Sequence, residues 1–242
     1  VVGSIPFTRS KLINILNFCK IMDKILYLLR RFAYYFYGER FYKRLDFAWQ
    51  TKSSRLEIIE LFIKKNNYKS YLEIGCHKDD VFSKINIKKV GVDPYSGGTL
   101  RLTSDDFFKI NKENFDLIFI DGLHIYDQVK QDIINSLEVL NNNGAILIHD
   151  CLPEKIWEQN VPRMNGAWSG DVWKVIPFFR NKPNIDVYTC VADRGIGVIF
   201  KRQNKNILKL DQDTKKLKFK DYYYNYKLYM NLISSEELEK II

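Results

Sequence analysis

Two short apolar runs that end abruptly in acid and imidazole constrain the fold of this chain more than any other feature. Phe119-Ile120 leads into Asp121-Gly122-Leu123-His124-Ile125-Tyr126, and Ile146-Leu147-Ile148 leads into His149-Asp150-Cys151. Between them Val129, Ile133, Leu137 and Leu140 fall on one helical face, and Asn141, Asn142, Asn143 and Gly144 supply the stop and the turn. Strand, helix, strand, with both strands apolar throughout, is the pattern of a parallel sheet covered on both faces. Such a sheet releases its strand ends along one edge, and ligands bind there. Two carboxylates and two imidazoles delivered to that edge read as a polar site, not as core.

The alternation extends in both directions. A helix is expected over residues 54–65, with Leu56, Ile59, Phe62 and Ile63 inward. Strands follow over 71–74, ending at Gly75, and over 90–92, ending at Asp93-Pro94; the runs 115–120 and 145–148 are the third and fourth. Residues 185–191 and 195–200, joined by Ala192-Asp193-Arg194, allow a hairpin at the sheet edge. The expected fold class is α/β: a doubly wound, mostly parallel sheet with an antiparallel edge hairpin and an N-terminal helical extension. The expected organisation is an extension over 1–50, the α/β domain over 51–202 and a C-terminal tail over 203–242. That tail carries Tyr222, Tyr223, Tyr224, Tyr226 and Tyr229 and closes in a helix over 234–242.

A chain of 242 residues can bury one sizeable core, and 46% apolar with 14% aromatic residues describes a folded globule. The net charge of +9 invites a nucleic-acid or anionic-membrane partner. The basic residues are dispersed, however, and no Asn/Asp-Pro-Pro-aromatic motif is present, so nucleic acid is not the expected partner. Cys19, Cys76, Cys151 and Cys190 form no C-x-x-C pair, which excludes a zinc ribbon and argues for a reducing, cytoplasmic setting. No apolar run approaches the roughly 20 residues that span a bilayer. The chain starts without Met, which leaves a removed leader open. Residues 10–37 read as an amphipathic helix, with Leu12, Leu16, Cys19, Ile25, Leu26 and Leu29 in a stripe and Lys20, Lys24, Arg30 and Arg31 between them. The stripe must be buried on the protein's own core, on a second subunit or on lipid; assembly into a homo-oligomer or peripheral contact with an anionic membrane is the expectation.

In Tyr71-Leu72-Glu73-Ile74-Gly75-Cys76-His77 a strand turns at a glycine, which permits close backbone approach to a ligand. Asp93 lies 20 positions after Glu73 at the end of the next strand, placed to take the hydroxyls of a ribose or to make an ordinary turn. Thr103-Ser104-Asp105-Asp106 either reaches an adenine amino group, through Asp105, or caps a helix.

With these pieces in place, the sequence over about residues 55–202 resembles the class I S-adenosylmethionine-dependent methyltransferases, whose fold is Rossmann-like. It is most similar to the branch with an I-D-G-x-H-x-Y signature common in glycan and natural-product gene clusters. The resemblance rests on Leu72-Glu73-Ile74-Gly75, Gly91-Val92-Asp93, Ile120-Asp121-Gly122-Leu123-His124-Ile125-Tyr126 and residues 144–150. It implies S-adenosylmethionine as cofactor, with Glu73 and Gly75 around its methionine part, Asp93 on the ribose, and Asp105 and Asp121 also in contact. Cys76, His77 and Lys78 stand where the family commonly has further glycines. Some members of the superfamily clamp neighbouring substrate oxygens with a divalent ion held by acids after the fourth and fifth strands. Asp121 and Asp150 match those places, and oxygen ligands suit Mg²⁺. His124, or alternatively His149, is then the base that takes a substrate proton.

The segment 162–173 is rich in Gly, Asn and Ser and carries two tryptophans. Trp173 reads as core. Trp168 is the candidate substrate contact, since an indole face stacks on a sugar ring. The resulting expectation is O-methylation of a hydroxyl on a sugar or small molecule. The rival readings are a metal-dependent hydroxylase on the same scaffold and a protein that binds the cofactor without turnover.

Overall fold

The computed structural model describes residues 20–29, 32–33, 45–163 and 166–242. Most of the expected amphipathic helix over 10–37 lies outside these residues; 20–29 are helical. No helix among the described residues is long and apolar enough to cross a membrane.

The chain alternates as the pattern requires. Helix α1 (Arg55–Asn66) leads to β1 (Ser70–Ile74) and β2 (Lys88–Val92); α2 (Ser104–Ile110), β3 (Phe115–Ile120), α3 (Tyr126–Glu138) and β4 (Leu140–Ile148) follow. After a long loop come α4 (Val175–Arg180), β5 (Asp186–Cys190), β6 (Ile196–Phe200), α5 (Phe219–Met230), β7 (Leu232–Ile233) and α6 (Ser235–Ile241). Helix α1 starts where its chemistry says it should. The Ser54 side chain accepts from the Glu57 N–H while the Glu57 carboxylate accepts from the Ser54 N–H, a reciprocal cap.

The seven strands form one sheet in the order β2-β1-β3-β4-β6-β5-β7. Strands β1 to β4 are parallel, β6 runs antiparallel to both β4 and β5, and β7 pairs parallel with β5. The chain goes from β1 outward to β2 and then back to β3 on the other side, so the strand order reverses between β1 and β3. That reversal point opens a crevice at the strands' C-terminal ends.

Strict alternation along the strands builds a core on each face. Leu72, Ile74, Ile118, Ile120, Ile146 and Ile148 pack with Val129 and Ile133 of α3 and Phe219 and Tyr222 of α5. Tyr71, Leu117, Phe119, Ala145 and Leu147 pack on the other face with Ile58, Ile59 and Phe62 of α1 and Leu238 of α6. Residues 203–242 therefore supply buried side chains to both faces as well as a strand. That strand covers the antiparallel pair: the N–H of Thr189 bonds the Asn231 carbonyl and the N–H of Val191 bonds the Ile233 carbonyl.

The run around 140–144 departs from the sequence expectation. Leu140 belongs to β4 and pairs with Phe115; the helical face ends earlier, in a helix that stops at Glu138. The Phe115 N–H already takes the Val139 carbonyl, so the chain enters the ladder as soon as α3 ends. The Asn-rich turn is absorbed as an irregularity within the strand, with Asn141 Nδ2 donating to Asp116 Oδ1 at 2.8 Å.

Tyr222 is fully buried, and its hydroxyl has no hydrogen-bond partner among the described residues. Tyr222→Ala should cost about 3–5 kcal/mol through loss of packing. Tyr222→Phe, which removes only an unsatisfied hydroxyl, should be neutral or stabilising. Urea unfolding of the two variants checks this: equal losses would show that the hydroxyl, not the ring, holds the tail.

Candidate active site

The site is assembled from the ends of β1 to β4 and from two segments remote in sequence. Gly75 lets the central strands close on each other. A Cβ there would stand 2.3 Å from the Asp121 carbonyl oxygen, and the residue's φ of 91° is a left-handed value. The Asp121 N–H in turn donates to the Ile74 carbonyl at 2.8 Å. A cleft of about 850 Å³ opens over this junction. In sheet order it runs from Asp93 at the end of β2, across Gly75 and Gly122, to Asp121, His124, His149 and Asp150 at the ends of β3 and β4.

At the β2 end, Asp93 is held by main-chain amides. Its Oδ1 accepts from the N–H groups of Tyr95 and Ser96, both at 2.8 Å, and its Oδ2 accepts from His77 at 2.9 Å. Burial alone would raise its pKa, but the amides of Ser96, His77 and Tyr95 outweigh burial and hold it below the usual carboxylate range. The His77 bond also shapes the loop after β1. His77 and Asp79 adopt left-handed φ values of 48° and 63°, so non-glycine residues take conformations for which glycine is favoured.

Next to Asp93, the hydroxyl of Thr103 caps α2 by accepting from the Asp106 N–H at 3.1 Å. Capping thus falls to Thr103, while Asp105 lines the cleft and accepts from Gln128 Nε2 at 3.2 Å. Asp132 of α3 accepts from the same Nε2 at 3.1 Å, and burial pushes its carboxyl up to about 6.

Glu73 corrects the sequence expectation. It is 2% exposed, shares the face of Tyr71 beneath α1 and does not line the cleft. The Tyr71 hydroxyl donates to it at 2.6 Å. The period of two along β1 turns Glu73 to the face opposite Leu72 and Ile74.

At the β3 and β4 ends, four donor atoms converge. His124 Nε2 lies 3.1 Å from Asp121 Oδ1 and 3.3 Å from Asp150 Oδ2; His149 Nδ1 lies 3.2 Å from Asp121 Oδ1 and 3.6 Å from Asp150 Oδ2. The four side chains offer ligand atoms all within 4.8 Å of one another. Each carboxylate gives its other oxygen to an arginine: Arg55 to Asp121 Oδ2 at 2.5 Å, and Arg194 to Asp150 Oδ1 at 2.7 Å. Arg55 also pairs with Asp193 Oδ2 at 3.2 Å, and Asp193 Oδ1 lies 3.5 Å from His149 Nε2. Burial alone would raise the Asp121 pKa, but the His149 and His124 imidazoles hold it well below the ordinary range. Burial alone would lower that of His149; Asp121 and Asp150 instead push it up to about 10. Asp150, Asp193 and Arg194 all have positive φ, so the backbone is strained where these charges meet.

Trp168 forms the wall beside His124. Its ring meets the imidazole edge-on with centroids 5.2 Å apart, and its Nε1 donates to the Asn160 carbonyl at 2.6 Å. The loop is pinned there because a Cβ on Gly170 would overlap the His124 carbonyl oxygen at 1.7 Å. The Asp171 carboxylate also accepts from the Tyr126 N–H at 2.7 Å. Trp173 is buried in the core, as its pattern indicates.

Arg55, Asp193 and Arg194 are site residues that the sequence reading missed. Arg55 is the first residue of a helix, and Asp193-Arg194 looks like turn chemistry. The one available signal was the charged pair inside a hairpin turn between two apolar strands.

Residues 62–151 match a family model described as a methyltransferase domain, which bears out the expectation of such a domain. No curated protein matches the sequence. Similar solved structures include the methyltransferase PaMTH1 of Podospora anserina bound to SAH, at 17% identity and TM-score 0.43 over 84% of this chain and 100% of that one. A putative caffeoyl-CoA O-methyltransferase from Staphylococcus aureus is 17% identical with TM-score 0.46, over 77% of this chain and 99% of that one. The methyltransferase MycE of the mycinamycin pathway, in complex with Mg, SAH and mycinamycin VI, is 16% identical with TM-score 0.42, over 64% of this chain and 51% of that one.

Burial pushes the Glu73 carboxyl up to about 7 from 4.5, against the pull of the Tyr71 hydrogen bond. The folded state therefore keeps a proton that the unfolded chain releases. The stability from this group is complete below the unfolded value and is lost as pH rises through about 7. Glu73→Gln keeps an acceptor for Tyr71 and removes the titration. Its unfolding free energy should gain on the wild type by on the order of 3 kcal/mol between about pH 4.5 and pH 8. Parallel stability curves in urea across that range would show that Glu73 stays ionised.

Proposed function

We propose that this chain is an S-adenosylmethionine-dependent O-methyltransferase acting on a hydroxyl of a sugar or other small molecule. The observation that carries the reading is one continuous cleft that joins Asp93 to the His124-His149-Asp121-Asp150 cluster across Gly75. A cofactor laid along it sets its ribose at Asp93 and its sulfonium near the cluster. The methyltransferase-domain match over residues 62–151 supports the same reading.

The chain's own groups divide the work. Of the roughly four acceptor positions on a carboxylate, main-chain amides already use three on Asp93. One position on Oδ2 remains, enough for one ribose hydroxyl. Asp105, with Gln128 and Ser104 beside it, faces the purine end. Gly75 keeps the floor low, so the cofactor's methionine part can approach the backbone; Glu73 lies beneath that floor and acts on the cofactor only through it. Trp168 offers a flat wall to a sugar ring at the acceptor end. Transfer is an in-line attack of the substrate oxygen on the methyl group with sulfur leaving. Alignment of the two reactants supplies several kcal/mol of the barrier reduction. His124 and His149 are the nitrogens in reach of the substrate's proton, and His124 is the more accessible, with 19% of its side chain exposed against 4%.

The donor set also fits a divalent ion. Asp121 Oδ1 and Asp150 Oδ2 are the oxygens turned away from Arg55 and Arg194, and they would hold it. When bound, Mg²⁺ or a similar ion would acidify a substrate hydroxyl and orient two neighbouring oxygens. We assign residues 1–50 to association and not to this chemistry. Ile21, Ile25, Leu26, Leu28 and Leu29 are exposed on the described helical stretch, which supports association with a second copy of the chain or an anionic membrane surface.

Asp93→Ala should weaken S-adenosylmethionine binding by about 1–3 kcal/mol, the scale of a lost charge-assisted hydrogen bond. Calorimetry with equal affinities for both proteins would remove the ribose assignment. Exhaustive EDTA treatment should abolish turnover, and full turnover without metal would leave His124 to act alone.

Deletion of residues 1–45 should leave cofactor binding intact while lowering the oligomeric state or vesicle binding. An unchanged oligomer and unchanged vesicle binding would show that the stripe packs on the protein's own core.

A further inference from the structure

We infer that His124 and His149 are metal ligands, and that the cleft binds a first-row transition ion through two imidazole nitrogens and two carboxylate oxygens in preference to Mg²⁺. The inference rests on the reading of this cleft as a divalent-ion site and reassigns both histidines from proton acceptors to ligands.

The first argument is geometric. His124 Nε2, Asp121 Oδ1, His149 Nδ1 and Asp150 Oδ2 alternate nitrogen and oxygen around a ring with sides of 3.1, 3.2, 3.6 and 3.3 Å. Donors bound to one ion at about 2.0–2.2 Å lie about 2.8–3.1 Å from their neighbours in octahedral geometry and about 3.3–3.6 Å in tetrahedral geometry. Hydrogen bonding alone accounts for the ring poorly. Each nitrogen carries at most one proton yet faces two carboxylate oxygens. A proton on His149 Nδ1 would moreover sit against Arg55, whose NH1 donor is 3.4 Å away.

The second argument is charge. Among the described residues, Asp121, Asp150, Asp193 and Glu158 pair directly with two guanidinium groups, those of Arg55 and Arg194. Ligation requires both imidazoles neutral, and in that state two negative charges remain in a largely buried cluster, which a divalent cation would balance. Isolated buried charge is costly, and a bound ion would offset it.

The third argument is the outer partner. A metal-bound imidazole ordinarily turns its other ring nitrogen toward a carboxylate, and His149 Nε2 is buried and turned toward Asp193 Oδ1 at 3.5 Å. Asp193 is thus a positioning residue, held in turn by the main-chain N–H and the Nε of Arg55. Ion choice follows from the donors. Mg²⁺ takes oxygen ligands, whereas imidazole favours the later first-row divalent ions. Held by these four residues, such an ion would supply Lewis acidity where a free imidazole would otherwise have to act as base.

The test uses the full chain, stripped with EDTA and titrated separately with Co²⁺ and Mg²⁺ by calorimetry and visible absorption. Co²⁺ should bind about 100-fold or more tightly than Mg²⁺ and show nitrogen-ligated visible bands that Zn²⁺ displaces. His124→Ala and His149→Ala should each lower Co²⁺ affinity by about tenfold or more and shift those bands, and Asp193→Asn should weaken it by about 10–100-fold with smaller spectral change. Equal affinity for the two ions, or Co²⁺ binding unaltered in His124→Ala, overturns the inference. If the buried His149 variant does not fold, the wild-type spectrum and His124→Ala still decide. Calorimetry with S-adenosylmethionine runs alongside. Cofactor binding without selective Co²⁺ binding defeats this inference and spares the methyltransferase reading; selective Co²⁺ binding without cofactor binding does the reverse.

Discussion

The arrangement depends on keeping four carboxylates, two imidazoles and two guanidinium groups together at the ends of β3 and β4. None of these groups tolerates burial alone, because desolvation of an unpaired charge costs more than a domain of this size can spare. Each therefore exists at its position only because of the others. Asp121 is the hinge of the set: it touches Arg55, His124 and His149, which arrive from three different segments of the chain. Its own place is set by Gly75, which lets the Asp121 carbonyl lie against β1 where any side chain would intrude. The low pKa of Asp121 and the high one of His149 are two readings of the same attraction.

The legible part of the site is the part that local pattern controls. A strand buried on both faces is apolar along its whole length, so the residue at which polarity returns marks the strand end. Asp93, Asp121, His149 and Asp150 were visible for that reason, and β3 ran over the residues expected of it. Arg55, Asp193 and Arg194 were not visible, because their roles come from pairing across long stretches of chain. The Asp193 carboxylate meets the Arg55 N–H across 138 positions, and no local period reports that. Glu73 shows the opposite error. Its place at a strand end suggested the cleft, but side-chain parity along β1 puts it under the sheet with Tyr71. Leu140 fitted a helical spacing and lost to the ladder, since the Phe115 N–H was available one residue after α3 stopped.

The two ends of the cleft are built by different physics. At Asp93 the carboxylate is held by main-chain amides of two loops, Tyr95 and Ser96 after β2 and the left-handed His77 after β1. That arrangement is rigid, short-range and independent of side-chain protonation elsewhere. At Asp121 and Asp150 the holding groups are side chains whose charges answer to one another. A ligand at the first end finds a preformed acceptor. A ligand at the second end would enter that balance of charge.

The tail enters this balance without reaching the cleft. Asp193 and Arg194 sit in the turn between β5 and β6, and that turn is fixed on two sides. The Asp193 N–H donates to the Ser53 carbonyl just before α1, and the N–H groups of Cys151 and Leu152 donate to the carbonyls of Gly195 and Arg194. On its outer side β5 is held by β7, through Thr189 and Val191 immediately before the turn. β7 in turn hangs between α5, buried through Tyr222 and Met230, and α6, buried through Leu238. Packing of residues 219–241 against both faces thus fixes the edge of the sheet from which the site's second arginine and its outer carboxylate project. A change that loosens this packing would reach Asp121 and Asp150 through Asp193 and His149, which lie at the β4 side of the cleft, whereas Asp93 lies at its far end beyond β1.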